Sequence, residues 1–260
     1  MTRRLVNFAC EGAQMAGTLD EGAAATGLLL VSGGSEIRSG AWAGQARLAA
    51  TIAAQGFPVF RFDRRGVGDS EGVDFGFRES APDIAAALAA FRAECPHVTR
   101  VVALGNCDAA SALMLAGGAG CDALVLSNPW TIEDSAEGET AAPPAAVRDH
   151  YRRRLRDPRA ILRLLSGKVS PGKLLASLRD ALKPAPPPTG LAVDMARALR
   201  GFSGEVRILL AGRDRAARAF LAAWNAKDPR LHTCKEASHS FVEPEAREWY
   251  ARQILDALKA

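Results

Sequence analysis

The sequence has no long hydrophobic run. Among 260 residues that are 48% hydrophobic and 24% charged, no apolar stretch approaches the ~20 residues of a membrane-spanning helix. The opening MTRRLVNFACEG has two arginines, a short apolar stretch and then Glu11. It lacks the hydrophobic core of a secretory signal, so a cytoplasmic protein without a transmembrane segment is expected. Paired cysteines are also missing. Cys10, Cys95, Cys107, Cys121 and Cys234 are scattered with no CxxC, which speaks against a disulfide framework or a zinc site. No metal and no cofactor is expected. No GKS or GKT follows the glycines of RFDRRGVGDSEG (61–72), so that segment reads as a structural loop rather than a phosphate loop, with Asp63 bracing it. No internal repeat is visible, and no nucleic-acid recognition motif accompanies the basic residues.

What the chain does have is alternation. RLVNFAC and AQMAGTL read as strands of a hairpin turning at Glu11-Gly12. GLLLVSGG is a short apolar run ending in glycines, the pattern of a strand buried on both faces. The helix WAGQARLAATIAAQG follows, closed by Gly56, then the strand FPVFRFD. Next comes the helix SAPDIAAALAAFRAE, with Ser80 as its cap and Pro82 in its first turn. Strand RVVALG, helix DAASALMLAG and strand ALVLSNP complete the first part. After Trp130 the pattern breaks into a polar, proline-containing stretch. Three amphipathic helices are expected there, HYRRRLRDPRAILRLLSG, GKLLASLRDAL and DMARALRGF, with the stiff connector KPAPPPTG before the last. Alternation resumes at Glu205 with EVRILLAG, RAARAFLAAW, RLHTCKEA and EPEAREWYARQILDALKA. Strand–helix alternation predicts a mostly parallel sheet with helices on both faces. Eight strands, a leading hairpin and a helical insertion after the sixth strand amount to an α/β-hydrolase layout. Residues 1–130 and 201–260 form its core, and 131–200 form a helical cap.

In that layout the fifth strand ends in a sharp G-x-Nu-x-G turn that lifts a nucleophile above the sheet. Here the turn is Gly105-Asn106-Cys107-Asp108-Ala109, with alanine in place of the second glycine. An isolated cysteine is more often a buried core thiol, but the strand–turn–helix setting favours Cys107 as nucleophile. The helix that begins at Asp108 aims its N-terminal amides at the sulfur, which favours thiolate and supplies the Asp108 N–H as one oxyanion donor. The Asp108 carboxylate opposes this if it turns inward. The second donor belongs on the loop SGGSEIRSG, at Gly34 or Ser35. The order nucleophile, acid, histidine places the acid at Asp214, closing ILLAGRD, and the base at His239 in KEASHSF. Asp214 alone could equally be a helix N-cap. His97 and His232 sit at or inside strands and His150 lies in the basic insertion, leaving His239 on the required loop. Glu36 and Arg38, on the Gly34 loop, are candidates for substrate contact.

These segments together, VSGGSEIRSG, GFPVFRFDRRGVGDSEG, LGNCDAAS, AGRD and ASHSF, resemble the α/β-hydrolases encoded with exosortase A systems, hydrolase 1 type. The resemblance runs over nearly the whole chain. It implies a cytoplasmic enzyme linked to exopolysaccharide production. The cysteine in the elbow is also similar to that of dienelactone hydrolase, in which Cys, Asp and His act together and a glutamate near the oxyanion loop contacts the thiol, a role that would fall to Glu36. The insertion here is longer and more basic than that enzyme suggests, which argues against a small dicarboxylate lactone as substrate.

A thiolate attacking a carbonyl forms a thioester acyl-enzyme, and because thiolate is itself a good leaving group, esters, thioesters or lactones suit it better than amides. The expected substrate is an acyl-bearing small molecule or a carrier-linked acyl group. Acyl transfer to another acceptor uses the same intermediate, and a non-catalytic hydrolase-like scaffold is the reading from a different class. Of the net charge of +4, the segment 147–200 carries +9, with 13 Lys/Arg against 4 Asp, and the rest −5. Helical charge runs usually face solvent. The sharper reading has Arg152, Arg153 and Arg154 recruiting an anionic partner, such as an acyl-carrier protein, a phosphorylated glycolipid or membrane phospholipid.

Overall fold

The computed structural model describes residues 2–132 and 190–260. The strands are β1 Arg3–Cys10, β2 Ala13–Asp20, β3 Thr26–Val31, β4 Val59–Phe62, β5 Arg100–Asn106, β6 Ala123–Ser127, β7 Glu205–Ala211 and β8 Leu231–Cys234. They form one eight-stranded sheet in the order β1-β2-β4-β3-β5-β6-β7-β8. β2 runs antiparallel to β1 and β4, and every other neighbouring pair is parallel. The hairpin turns at Glu11 and Gly12, both with positive φ (46° and 86°), as a tight two-residue connection between twisted strands requires. This is the α/β-hydrolase fold.

Continuous apolar runs such as Leu28–Val31 and Val101–Leu104 are buried because helices cover both faces of the sheet. On one face lie α1 (Gly44–Ala53) and, at the C-terminus, a long helix over Pro244–Lys259. Their Ile52, Ile254 and Leu258 pack on Leu28, Leu30, Val102 and Leu104. On the other face lie α2 (Ala81–Glu94), α3 (Asp108–Leu115), α4 (Gly190–Leu199) and α5 (Arg215–Ala223). The C-terminal helix is α6. Two strand glycines make room for large rings. A Cβ at Gly17 would sit 2.6 Å from the Phe60 ring, and one at Gly27 would sit 2.5 Å from that of Phe91. The freed space lets Phe60 and Phe91 stack at 5.6 Å, both fully buried.

Two expectations meet a different local outcome. Ser80 does stand before α2, but its hydroxyl donates to the Phe77 carbonyl (2.9 Å) instead of capping the helix. The third helix of the expected insertion appears as α4, spanning Gly190–Leu199, and buries Leu191, Ala192, Met195 and Leu199 in the core beside α3. Its apolar positions recur every three to four residues on one face, so it docks on the sheet layer. The other two expected helices, the connector and the arginines at 152–154 lie outside the described residues. No described helix is long and apolar enough to cross a membrane.

Candidate active site

β5, β6 and β7 end at the same edge of the sheet, where open parallel sheets collect ligands. At the end of β5 the chain reverses so sharply that Cys107 takes φ 61° and ψ −126°, a conformation costly for any residue with a Cβ. The turn is held by the Cys107 N–H donating to the Ser127 carbonyl (2.9 Å). It also demands a small residue at position 105, where a Cβ would stand 2.7 Å from the Ala109 backbone. Ala109 itself is buried without strain on the turn, so the loss of the second glycine leaves the elbow intact.

His239 arrives on the loop after β8 and Asp214 at the start of α5. The His239 Nδ1 lies 3.0 Å from Asp214 Oδ1, and His239 lines the same cavity as Cys107. Asp214 has both roles the sequence allowed, since its other oxygen accepts the Ala217 N–H (2.8 Å) as the N-cap of α5. Burial opposes ionisation of Asp214, but the bonds from His239 and from Ala217 outweigh it and hold its carboxyl below the ordinary aspartate value. The hydrogen bond to Asp214, followed by the contact with Cys107, pushes the His239 imidazolium up to about 10 despite partial burial.

That pairing has a consequence for stability. A histidine whose pKa is raised in the folded state stabilises fully below its unfolded value, near 6.5, and loses that contribution as pH climbs towards 10. Melting temperatures of the wild type should therefore fall more steeply between pH 7 and 10 than those of His239→Gln. Parallel melting curves for the two proteins across that range would rule out the ion pair.

The Gly34 loop carries the main departure from expectation. The Gly34 N–H, a candidate oxyanion donor, donates to both oxygens of the Asp108 carboxylate (2.7 and 2.8 Å). Asp108 thus turns inward, and its carboxylate occupies the donor that a substrate oxygen would need. The Gly34 carbonyl is held in turn by the buried Arg64 guanidinium. Gly33 must be glycine for this packing, because a Cβ there would lie 2.4 Å from Asp108 Oδ1. Glu36 lines the cavity, with its carboxylate 3.4 Å from the Gln45 side-chain amide. Arg38 does not reach the cavity. Its backbone N–H and guanidinium both bind Asp63, its Nε donates to Thr18 (3.0 Å), and it pairs with Asp69 (2.9 Å). Asp63 is fully buried and also accepts the Asp69 N–H (3.0 Å), so it braces the loop as expected. Its charge draws Arg38 down and away from the substrate side.

The cavity over Cys107 measures about 340 Å³, and Phe77 and Trp130 supply apolar wall opposite Asn106 and His239. Four other thiols sit elsewhere. Burial pushes Cys10 up to about 11 and Cys121 up to about 12, and raises Cys95 as well, so these behave as inert core groups. No cluster of metal-ligating side chains exists among the described residues.

One residue that organises the site has no local signature in the sequence. Asn128 is fully buried just past β6 with φ 44°. Its amide nitrogen donates to Asn106 Oδ1 (3.1 Å) and to the His239 carbonyl (2.9 Å), and its oxygen accepts the Ala211 N–H (2.8 Å). The Asn106 amide in turn lies 3.4 Å from His239 Nε2. The sequence reads Asn128 only as part of the strand ALVLSNP.

Comparison with known proteins agrees with the architecture. The alpha/beta hydrolase GrgF from Penicillium sp. sh18 superposes with a TM-score of 0.67 at 17% identity, over 100% of this chain and 98% of that one. The Pyrococcus furiosus esterase Pf2001 gives 0.63 at 14% identity, over 99% and 90%. The thioesterase domain from the curacin biosynthetic pathway gives 0.59 at 13%, over 98% and 100%. Identities this low speak for the fold. No curated protein matches the chain. Residues 28–253 match the alpha/beta hydrolase family as a unit, and with its elbow and sheet order the chain belongs to that family of hydrolytic enzymes.

Proposed function

We propose that the chain hydrolyses an ester or thioester through Cys107, His239 and Asp214. The observation that carries this is the strained elbow cysteine sharing one cavity with a histidine that is itself bonded to a buried aspartate. In this reading Cys107 reacts as a thiolate paired with the His239 imidazolium, and its sulfur forms a bond to the acyl carbon. The carbonyl oxygen takes up the negative charge against the Asp108 N–H and an amide of Gly34 or Ser35. Because the Asp108 carboxylate occupies the Gly34 amide, the substrate oxygen displaces it or uses Ser35.

The tetrahedral intermediate collapses as the carbon–oxygen or carbon–sulfur bond to the leaving group breaks. His239 passes its proton to that group, leaving an acyl thioester on Cys107. The now neutral His239 takes a proton from water as the water oxygen attacks the thioester. Collapse expels the Cys107 thiolate and releases the acid. Asp214 holds the imidazole orientation throughout. An acceptor hydroxyl or thiol in place of water turns the same intermediate to acyl transfer.

The names of two structural neighbours, an esterase and a thioesterase domain, support the bond class. A role in exopolysaccharide production, in the cytoplasm, rests on the motif resemblance, and recruitment of an anionic carrier or lipid rests on the charge of segment 147–200. The test is intact mass of the protein mixed with nitrophenyl esters and acyl thioesters of graded chain length. Turnover with one transient acyl adduct, mapped to Cys107, is the expected result. Persistent lack of both turnover and adduct would sink the reading in favour of a binding scaffold.

A further inference from the structure

A second cavity, of about 410 Å³, opens between α1 and α6 on the sheet face opposite α3. This is within the usual size range of small-ligand sites. Leu30, Val31, Leu48, Leu104, Phe241 and Val242 give it a mainly apolar lining, interrupted by polar side chains such as Thr51 and Ser240. Phe241 is stacked 4.4 Å from the Tyr250 ring. Charge is confined to Glu36, Arg47, Arg247 and Glu248. The groove adjoins the candidate active site. Glu36, Gln45 and Asn106 line both cavities, and Asn106 directly precedes Cys107. Gln45 stands at the junction, where its oxygen accepts from the Ser32 hydroxyl (2.9 Å).

The outer end has an unusual feature. Trp42 lines the groove yet is 87% exposed, and its backbone lies at φ 56° beside Ala43 at φ 54°. Two consecutive residues with side chains in the left-handed region are rare, and a large aromatic held there in solvent is strained for a purpose other than packing. Val242, half exposed, lines the same groove. Apolar side chains lining a groove that shares Glu36, Gln45 and Asn106 with the nucleophile cavity suit one occupant, a flexible apolar chain attached to the carbonyl that Cys107 attacks.

We infer that the groove between α1 and α6 holds the unbranched acyl chain of the substrate, threaded from Cys107 past Gln45 and covered by Trp42. This rests on the hydrolase reading above and adds its substrate class, medium-chain acyl esters or thioesters. Water leaves the apolar walls when the chain enters, so binding strengthens with each methylene until the groove is full.

Two tryptophan substitutions fill the groove from opposite walls, Ala251→Trp on α6 and Thr51→Trp on α1. Each is checked for a native-like melt and is read in two ways. In the active background, the ratio of kcat/KM for nitrophenyl decanoate to that for nitrophenyl acetate should fall at least tenfold. In the Cys107→Ala background, affinity for 11-(dansylamino)undecanoic acid should weaken at least tenfold. An unchanged ratio in folded variants whose turnover depends on Cys107 overturns the acyl-groove assignment while leaving the hydrolase reading standing. Lack of turnover on any ester, with dansyl-undecanoate bound and then weakened by the plugs, leaves the groove standing and removes the hydrolase reading. Failure of Cys107→Ala to bind the dansyl acid, or binding that the plugs do not alter, overturns the groove.

Discussion

Cys107→Ala should lower kcat/KM on nitrophenyl butyrate by at least about a thousandfold, because a residue that forms the covalent intermediate cannot be replaced by positioning alone. The fold should persist. Cys107 is only partly buried, and its sulfur sits above the sheet rather than in the core, so truncation leaves no enclosed void. Alanine still carries a Cβ at φ 61° and inherits the same backbone strain. The His239–Asp214 bond also survives, since it does not pass through the sulfur. The melting temperature should therefore move by no more than a few degrees. The acyl adduct on intact mass should vanish together with the activity. Retention of more than a tenth of wild-type turnover would show that another group attacks the carbonyl.

The largest loss of stability is expected from Asp63→Ala. Asp63 is fully buried and accepts the backbone N–H groups of Arg38 and Asp69 as well as the Arg38 guanidinium. Removing it strands two backbone donors and leaves Arg38, itself mostly buried, with the largely exposed Asp69 as its remaining carboxylate beside the Thr18 hydroxyl. Breaking a buried ion pair from one side typically costs about 3–5 kcal/mol. In a chain of this size each kcal/mol lowers the melting temperature by roughly 2–4 °C, so a drop on the order of 10 °C should be seen by calorimetry. Asp63→Asn keeps the shape and one acceptor oxygen and should recover part of that loss. A change under about 1 kcal/mol would mean that the loop rearranges to satisfy Arg38 elsewhere, since surface pairs contribute no more than that.

The architecture was legible because its signals are local. Buried parallel strands such as GLLLV and RVVALG read as apolar runs, and Gly105, Cys107 and the small residues after them mark a strand turning directly into a helix. Asp214 and His239, which the structure brings to 3.0 Å of one another, each lie just past a strand that must end at the same edge. What remained hidden depends on side chains meeting across long sequence separations. Asn128 joins residues 22, 83 and 111 positions away, and its place at the end of the strand ALVLSNP carries no trace of that. The inward carboxylate of Asp108 depends on Gly34, 74 positions earlier, so its position as a helix-start residue could not reveal which way it points. Arg38 looked like a loop charge free to meet substrate, yet a buried Asp63 25 positions away had claimed it. α4 joins the core because its apolar face meets α3, whereas the change of composition after Trp130 assigned it to the insertion.

The side-chain amide of Asn128 touches the end of β5, the end of β7 and the His239 loop at once. Three stretches of chain that could each fluctuate on their own are thereby obliged to move as a single body. The relative placement of Cys107, Asp214 and His239 thus depends in part on one buried amide, alongside the pairing of β5, β6 and β7.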